Sequence, residues 1–140
     1  MTLELQATSE EVMRAVEALN EFGRARQVPE KALFGLALAL EECGSNIVNH
    51  ALNRDPHQKF QVSFEYTRTA LRVELRDPGP EFDPTRAAQV EAGGDHDERA
   101  PGGWGIQLVR RYMDDIRYRR EKNHNVLCLT KNLSPGDDSK

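Results

Sequence analysis

Apolar side chains recur along the chain with two different spacings, and the change between them marks the predicted elements. Leu3 and Leu5 alternate with polar neighbours and predict a short first strand. From there to residue 22 the apolar positions lie three or four residues apart, which predicts a first helix with Ser9 as its N-cap. The chain is therefore expected to begin with a strand that leads directly into a helix.

A longer helical stripe follows Pro29, a residue type that is favoured in the first turn of a helix. Its apolar members keep a period of about 3.6 residues as far as Leu52, after which "NRDPH" ends the helix. They are Leu33, Leu36, Ala37, Leu40, Gly44, Ile47, Val48 and Ala51. The opposite side carries Glu42, Asn46, Asn49 and Asn53, with no lysine or arginine among them. Asparagine is a mediocre helix former, so this polar face is unusual for a helix surface that only meets solvent.

The second half of the chain predicts strands on either side of one long loop. Residues 60–66 and 71–75 alternate between apolar and polar positions, and the short "TRT" between them predicts an antiparallel pair. Residues 77–103 hold most of the glycines and prolines and predict a single long loop, a kind of segment that is often functional. The remaining predicted elements are a helix over 104–113, a strand through Ile116 and Tyr118, a turn at "KNHN" and a last strand over 126–129.

Helices and strands in these blocks predict an α/β fold, a two-layer sandwich with helices on one face of a mixed, mostly antiparallel sheet. The 140 residues show no internal repeat and are enough for one domain with its own core. We expect this domain to span residues 1–132 and a flexible tail to occupy 133–140.

Composition and charge exclude several classes of protein. A formal net charge of -4 disfavours general nucleic-acid binding, and the arginines of residues 110–120 are interleaved with acidic side chains. No apolar run approaches the roughly 20 residues that span a bilayer, and the first residues lack the pattern of a secretory signal. Cys43 and Cys128 form no CxxC pair and are expected to be reduced, buried thiols. We therefore expect a cytoplasmic protein without direct contact to nucleic acid or membrane.

The polar face of the second helix carries the first candidate chemistry. Glu42 and Asn46 lie one helical turn apart, and a carboxylate and an amide oxygen at this spacing can share one hard cation. The carboxylate could also accept a proton beside that cation. From these residues alone, a metal-dependent site and an ordinary solvated face are equally good interpretations.

Two further stretches carry candidate chemistry, and each also has a plain structural interpretation. In "RDPGPEFDP", Asp77 could accept a hydrogen bond from an exocyclic amine and Gly79 could let a planar base approach, although such residues also form common turns. In "APGGWGIQLVRR", Gly102, Gly103 and Gly105 lead into a helix whose N-terminus would suit a phosphate. The alternative is a flexible loop before a helix, and the stretch matches neither a Walker A motif nor GxGxxG.

Taken together and in this order, the three stretches resemble the ATP-binding domain (the Bergerat fold) shared by gyrase, the Hsp90 chaperone, histidine kinases and MutL. Within that superfamily the chain is most similar to the anti-sigma-factor serine kinases of bacterial partner-switching systems. The resemblance covers roughly residues 5–131. It is carried by "EExxxN…H" over 41–50, "DPGPEFDP" over 77–84 and "GGWGIxLVxxxMDxxxY" over 102–118.

The resemblance implies a role for each matching residue. Asn46 would bind the Mg²⁺ that bridges the triphosphate of ATP, and Glu42 would orient or deprotonate the attacking serine hydroxyl. Asn49, on the same helix face, would lie within reach of the phosphates. Asp77 would recognise the amino group of adenine, and Gly79 would make room for the ring.

The resemblance also assigns the glycine-rich region. Residues 83–101 would form a mobile lid over the nucleotide, with Arg99 as the candidate for the lid arginine that meets the terminal phosphate. The expected phosphate-facing segment at the start of the next helix comprises Gly102, Gly103, Trp104, Gly105 and Ile106. One departure is that the last strand lacks the Gly-Thr step of many relatives, which leaves Thr130 as the candidate to supply that threonine's adenine contact.

The activity implied by the resemblance is ATP- and Mg²⁺-dependent phosphorylation of a serine on a STAS-domain anti-anti-sigma protein. The same protein would sequester a sigma factor or another output protein, and it would form a homodimer. The alternative is a non-catalytic ATP-binding adaptor. A histidine kinase fragment and a gyrase-type ATPase are disfavoured, because we find neither dimerisation helices with a phosphoacceptor histidine nor a transducer domain.

Overall fold

The computed structural model of the protein describes residues 1–86 and 103–133. In chain order the elements are β1 (Thr2–Gln6), α1 (Ser9–Ala25), α2 (Glu30–Asn46), β2 (Lys59–Thr67), β3 (Ala70–Asp77), α3 (Gly103–Tyr112), β4 (Asp115–Glu121) and β5 (His124–Asn132). A π-helical turn, Ile47–Ala51, continues α2. The predicted order of strands and helices is therefore confirmed. Most of the predicted lid, including Arg99, lies outside the described residues, as do Gly102 and the tail beyond Leu133.

The strands form one five-stranded sheet in the order β1-β2-β3-β5-β4. The predicted α/β two-layer class is confirmed, but the expected mixture of strand directions is wrong for the described strands, since all four pairings are antiparallel. Two helices separate β1 from β2, so β2 returns in the opposite direction. β3 and β4 run in the same direction, because β5 lies between them and pairs antiparallel with both.

One hydrophobic core lies between the helices and one face of the sheet. Alternate strand residues point to this face and are buried, as the pleat of a strand requires. They include Leu5, Phe60, Val62, Phe64, Leu71, Val73, Leu75, Leu127 and Leu129. Leu19, Leu33, Leu36 and Leu40 meet them from α1 and α2. The opposite sheet face is polar and carries ion pairs such as Arg119 with Glu74 at 3.4 Å, so the core is one-sided.

The ends of the helices show how the chain is steered into this arrangement. The N-cap of α1 is Thr8 rather than the predicted Ser9, and its Oγ1 accepts a hydrogen bond from the N–H of Glu11 at 3.2 Å. The backbone of Thr8 is extended, as an N-cap requires, because this residue lies just after β1.

Among the described residues, no helix combines the length and the apolar character that crossing a bilayer requires.

Candidate functional site

A cavity of about 340 Å³ opens between the end of α2, the end of β3 and the inner faces of β4 and β5. This volume lies in the range of small-molecule sites, and most of the lining is apolar. The apolar lining includes Ile47, Ala51, Leu75, Phe82, Ile106 and Leu127. The polar residues that line the cavity are Asn46, His50, Asp77, Glu81, Tyr118 and Asn125. An apolar cavity with a few convergent polar groups suits a flat ligand that is recognised at its edge.

The π-helical turn stands where α2 meets this cavity. The N–H of Leu52 donates to the carbonyl of Ile47 at 2.8 Å, five residues back rather than four. Such wide turns are rare and are often found at functional sites. The sequence predicted a continuous helix to Leu52, and the chain does stay helical to Ala51, but the wider turn was not anticipated.

The candidate residues Glu42, Asn46 and Asn49, on α2 and its π-helical turn, lie in different positions relative to the cavity. Asn46 is half-buried in the cavity wall, and its side chain makes no hydrogen bond to another described residue. Glu42 is half-buried one turn earlier, whereas the neighbouring Glu41 is exposed. Neither Glu42 nor Asn49 lines the cavity, and the Oδ1 of Asn49 accepts a hydrogen bond from the Nε of Arg54 at 3.0 Å. The structure thus brings Asn46 to the cavity and leaves Glu42 and Asn49 on the neighbouring flank of the helix.

Asp77 is a buried carboxylate at the end of β3, with 4% of its surface exposed. Its Oδ1 accepts hydrogen bonds from the N–H of Gly79 at 2.8 Å and from the Nδ2 of Asn125 at 3.1 Å. Its Oδ2 makes no hydrogen bond to another described residue, and no described side-chain N or O atom is both buried and unpaired. The second oxygen is therefore accessible from the cavity, where it can accept a hydrogen bond from a ligand.

Asn125 is the site residue that sequence reasoning missed. We predicted a turn over "KNHN", which includes Asn125, but the turn consists only of Lys122 and Asn123, whose φ angles are 50° and 64°. Two positive φ angles are typical of a type I′ hairpin turn, and they allow β5 to begin at His124. Asn125 then pairs with Asp77 in the sheet. The inward alternation of Leu129 and Leu127 continues to position 125 and could have indicated this.

Thr130, our candidate for the threonine-mediated adenine contact, lies elsewhere. It pairs with Arg72 of β3 and Asp115 of β4, five residues along β5 from Asn125. It is not among the residues that line the cavity. The strand position beside Asp77 is occupied by Asn125, and no threonine among the described residues lines the cavity.

Gly79 has a structural reason to be glycine. A Cβ atom built on it would lie 2.9 Å from the Cβ of Ala51, 3.0 Å from the carbonyl oxygen of Ala51 and 2.8 Å from the Oδ1 of Asp77. These distances are too short for any other residue type, so the loop after β3 packs closely on the π-helical turn. Room for a nucleobase remains a prediction for this residue, because the structure shows close packing on the side where its Cβ would lie.

The glycine-rich stretch leads into α3 beside the cavity. Gly103, Trp104 and Gly105 form the first residues of α3, and Ile106 is 1% exposed and lines the cavity. The start of this helix therefore lies at the edge of the cavity, where its N–H groups would favour an anion. Contact between these residues and a phosphate stays a prediction.

Two titratable groups in the wall stay neutral at ordinary pH. Burial, together with the smaller effect of the nearby charge of Glu42, raises the pKa of the Cys43 thiol to about 12. Burial and then the charge of Glu81 raise the pKa of Tyr118, which keeps its hydroxyl as a donor. Within the described ranges, no group of three or more His, Cys, Asp and Glu side chains is placed to hold a metal ion. A cation at Asn46 would therefore need oxygen atoms from the ligand.

Comparisons with known proteins identify similar sequences and a similar fold. The family described as "Histidine kinase-like ATPase domain" matches residues 5–131. Serine/threonine-protein kinase BtrW of Bordetella bronchiseptica is 29% identical over 134 residues, which cover 96% of this chain and 94% of that protein. Serine-protein kinase RsbW of Listeria innocua is 27% identical over 138 residues, covering 96% and 87%. A chain in the SiaB–SiaC complex from Pseudomonas aeruginosa shares the fold, with a TM-score of 0.69 and 15% identity over 95% of this chain and 88% of that one.

Proposed function

The chain belongs to the family of histidine kinase-like ATPase domains, and we propose that it is an ATP-dependent protein serine kinase of the anti-sigma type. Its substrate is a STAS-domain anti-anti-sigma protein, and its second partner is a sigma factor or another output protein that it sequesters. The serine kinase names of relatives that match along 96% of the chain support this proposal. The observation that carries it is the buried carboxylate of Asp77, whose Oδ2 receives no hydrogen bond from another described residue and borders an apolar cavity.

Adenine fits the chemistry of this cavity. Its flat apolar faces would lie against the aliphatic lining, and its exocyclic amine would donate to the Oδ2 of Asp77. A base with a carbonyl oxygen at that position would instead bring two acceptors together. Because Asp77 is only 4% exposed, an unmatched acceptor there would not be compensated by water. The proposed ligand is therefore ATP rather than GTP or UTP, whose bases carry a carbonyl oxygen at the corresponding position.

The triphosphate would extend toward Asn46 and the start of α3. The amide oxygen of Asn46 is the proposed protein ligand of Mg²⁺, a hard cation that usually binds one or two protein oxygens together with substrate phosphates. When bound, Mg²⁺ would offset the negative charge of the phosphate oxygens. The backbone N–H groups of Gly103 and Gly105 would meet the same charge from the N-terminus of α3, and Gly102 and Arg99 are proposed to assist.

Glu42 is the proposed general base. The hydroxyl oxygen of the partner's serine would attack the terminal phosphorus of ATP, the bond to the bridging oxygen would break, and ADP would leave. Glu42 would orient the hydroxyl and take its proton. It is half-buried one turn from Asn46, and it makes no hydrogen bond or ion pair with another described residue that would occupy its carboxylate. Asn49 is proposed to assist from the following turn, near the phosphates.

We expect the protein to act in the cytoplasm as a homodimer and to bind neither nucleic acid nor membrane directly. We do not propose the outer sheet face as the dimer interface, because it carries charged pairs such as Arg72 with Glu65 at 3.2 Å. Exposed ion pairs of this kind are weak, but their side chains stay well hydrated.

Incubation of the purified protein with Mg²⁺·ATP and a STAS-domain protein from the same genome tests this proposal. We expect one phosphate per STAS molecule, on a serine that mass spectrometry can map. ATP binding without transfer to that protein would favour a non-catalytic adaptor. Absence of ATP binding would contradict the ATP site itself.

A further inference from the structure

We propose that Asn125 is a positioning residue that orients the carboxylate of Asp77 for selection of the base, an inference that rests on the proposed ATP site. Asn125 is 6% exposed and lies directly beside Asp77 in the sheet. Its side chain hydrogen-bonds the Oδ1 of Asp77, so it can fix the orientation of the carboxylate while Oδ2 faces the ligand.

The amide nitrogen of Asn125 donates both to Asp77 at the end of β3 and to the loop that follows. Nδ2 donates to the Oδ1 of Asp77 at 3.1 Å and to the carbonyl oxygen of Pro80 at 2.8 Å, with the carbonyl of Gly79 at 3.4 Å. A primary amide has two N–H donors, so the first two contacts satisfy both. One of them fixes the carboxylate, and the other ties down the loop beside it.

The amide oxygen of Asn125 determines which way the group points. Oδ1 accepts hydrogen bonds from the hydroxyl of Tyr118 at 2.6 Å, the Nη1 of Arg120 at 3.1 Å and the N–H of Phe82 at 3.1 Å. A flipped amide would turn its N–H groups toward three donors and its oxygen toward a carboxylate. The surrounding donors therefore exclude that orientation and direct Nδ2 to Asp77.

Two donors on one oxygen leave Asp77 with a single outward acceptor. Because Gly79 and Asn125 both bind Oδ1, rotation of the carboxylate would break two hydrogen bonds at once. Oδ2 is thereby held as the oxygen that meets the ligand. Asn125 would thus increase the selectivity of the site for a base that carries an amino group. It would do so through Asp77, without contacting the base itself.

The test compares ATP with inosine triphosphate, which has a carbonyl oxygen where ATP has its amino group. Calorimetry with Mg²⁺ gives the dissociation constant of each nucleotide for the wild type and for Asn125→Ala. We expect Asn125→Ala to bind ATP about tenfold more weakly, the loss typical of one hydrogen bond to a charged group, with little change for inosine triphosphate. The dissociation constant for inosine triphosphate divided by that for ATP should therefore fall by the same factor.

A second variant keeps the approximate volume of the side chain. Asn125→Leu can neither donate to Asp77 nor accept from Tyr118, Arg120 and Phe82. We expect the same loss of preference for ATP. Asn132→Ala, at the exposed far end of β5, is the matched control and should keep the wild-type ratio.

The outcomes separate this inference from the ATP site on which it rests. If the wild type prefers ATP and both variants at position 125 keep that preference, or lose affinity for both nucleotides equally, Asn125 is only structural and the inference is overturned. If the wild type binds neither nucleotide, or both equally well, the proposed ATP site is wrong and the inference falls with it.

Discussion

The Oδ1 of Asp77 accepts a hydrogen bond from the N–H of Gly79 at 2.8 Å, two residues further along the chain. This contact bends the chain sharply after β3 and brings Gly79 against Ala51 of the π-helical turn. The end of a strand and the end of a helix therefore meet at one point of the cavity wall. A change at that point is expected to alter both stability and the site.

Gly79→Ala is expected to lower the free energy of unfolding by about 1–3 kcal/mol, the usual cost of forcing a methyl group into a packed region. The new Cβ would lie 2.9 Å from the Cβ of Ala51. Urea unfolding measures the change. Gly35→Ala is the matched control, because its Cβ would meet Tyr112 at 3.3 Å and should cost less. Adding Ala51→Gly to Gly79→Ala removes one of the close contacts and should restore part of the loss; no loss at all would mean that the loop does not pack on the helix.

Glu42→Gln is expected to slow phosphoryl transfer by at least about 100-fold, because it removes the proposed proton acceptor. The affinity for ATP should stay close to that of the wild type, since Glu42 does not line the cavity. Rates of transfer to the STAS protein at saturating ATP measure the effect. Glu41→Gln changes the neighbouring exposed glutamate and should transfer at nearly the wild-type rate. Equal rates for the two variants would contradict the role of Glu42.

Removal of Mg²⁺ is expected to weaken ATP binding by the wild type, and Asn46→Ala should abolish most of that dependence. With Mg²⁺ present, we expect the variant to bind ATP about tenfold more weakly, since the metal loses its protein ligand. Calorimetry with Mg²⁺ and with a chelator measures the dissociation constant of ATP for the wild type and for Asn46→Ala under both conditions. An identical loss in affinity with and without the metal would show that Asn46 contacts ATP by another route.

The Cys43 thiol is expected to make stability fall with rising pH above about 9. Burial raises its pKa from the usual 9.0 to about 12 in the folded state. The unfolded chain therefore releases this proton first, and the stabilisation that is complete below pH 9 is lost as the pH rises toward about 12. The contribution is roughly 1.4 kcal/mol per pH unit. Urea unfolding at a pH of about 8 and about 10 should show a smaller decline for Cys43→Ala; parallel declines would mean that the thiol titrates normally.

Much of the fold could be predicted because each element repeats its own period. The alternation of Leu71, Val73 and Leu75 places Asp77 on the inner sheet face, where the structure shows it to be buried. The stripe from Leu33 to Ala51 likewise identified the face of α2 that packs on the core. The domain match over residues 5–131 confirms the superfamily that the three motifs indicated.

The neighbours of each element could not be predicted from the same local patterns. Asp77, Asn125 and Arg120 form one row across three strands, although 48 residues separate the first two. Their register depends on which strands pair and on where the hairpin turn falls. Because the sequence pattern placed Asn125 in that turn, it identified Asp77 but not the residue that hydrogen-bonds it.

The sequence by itself determined the element order, the buried faces and the candidates Glu42, Asn46 and Asp77, because apolar periodicity and residue chemistry are local properties. Only the tertiary structure decided that Asn125 orients Asp77 and that Gly79 packs on Ala51. Those contacts join segments that are distant in the chain. They depend on the packing of α2 and the pairing of β5 with β3, which no short stretch of sequence encodes.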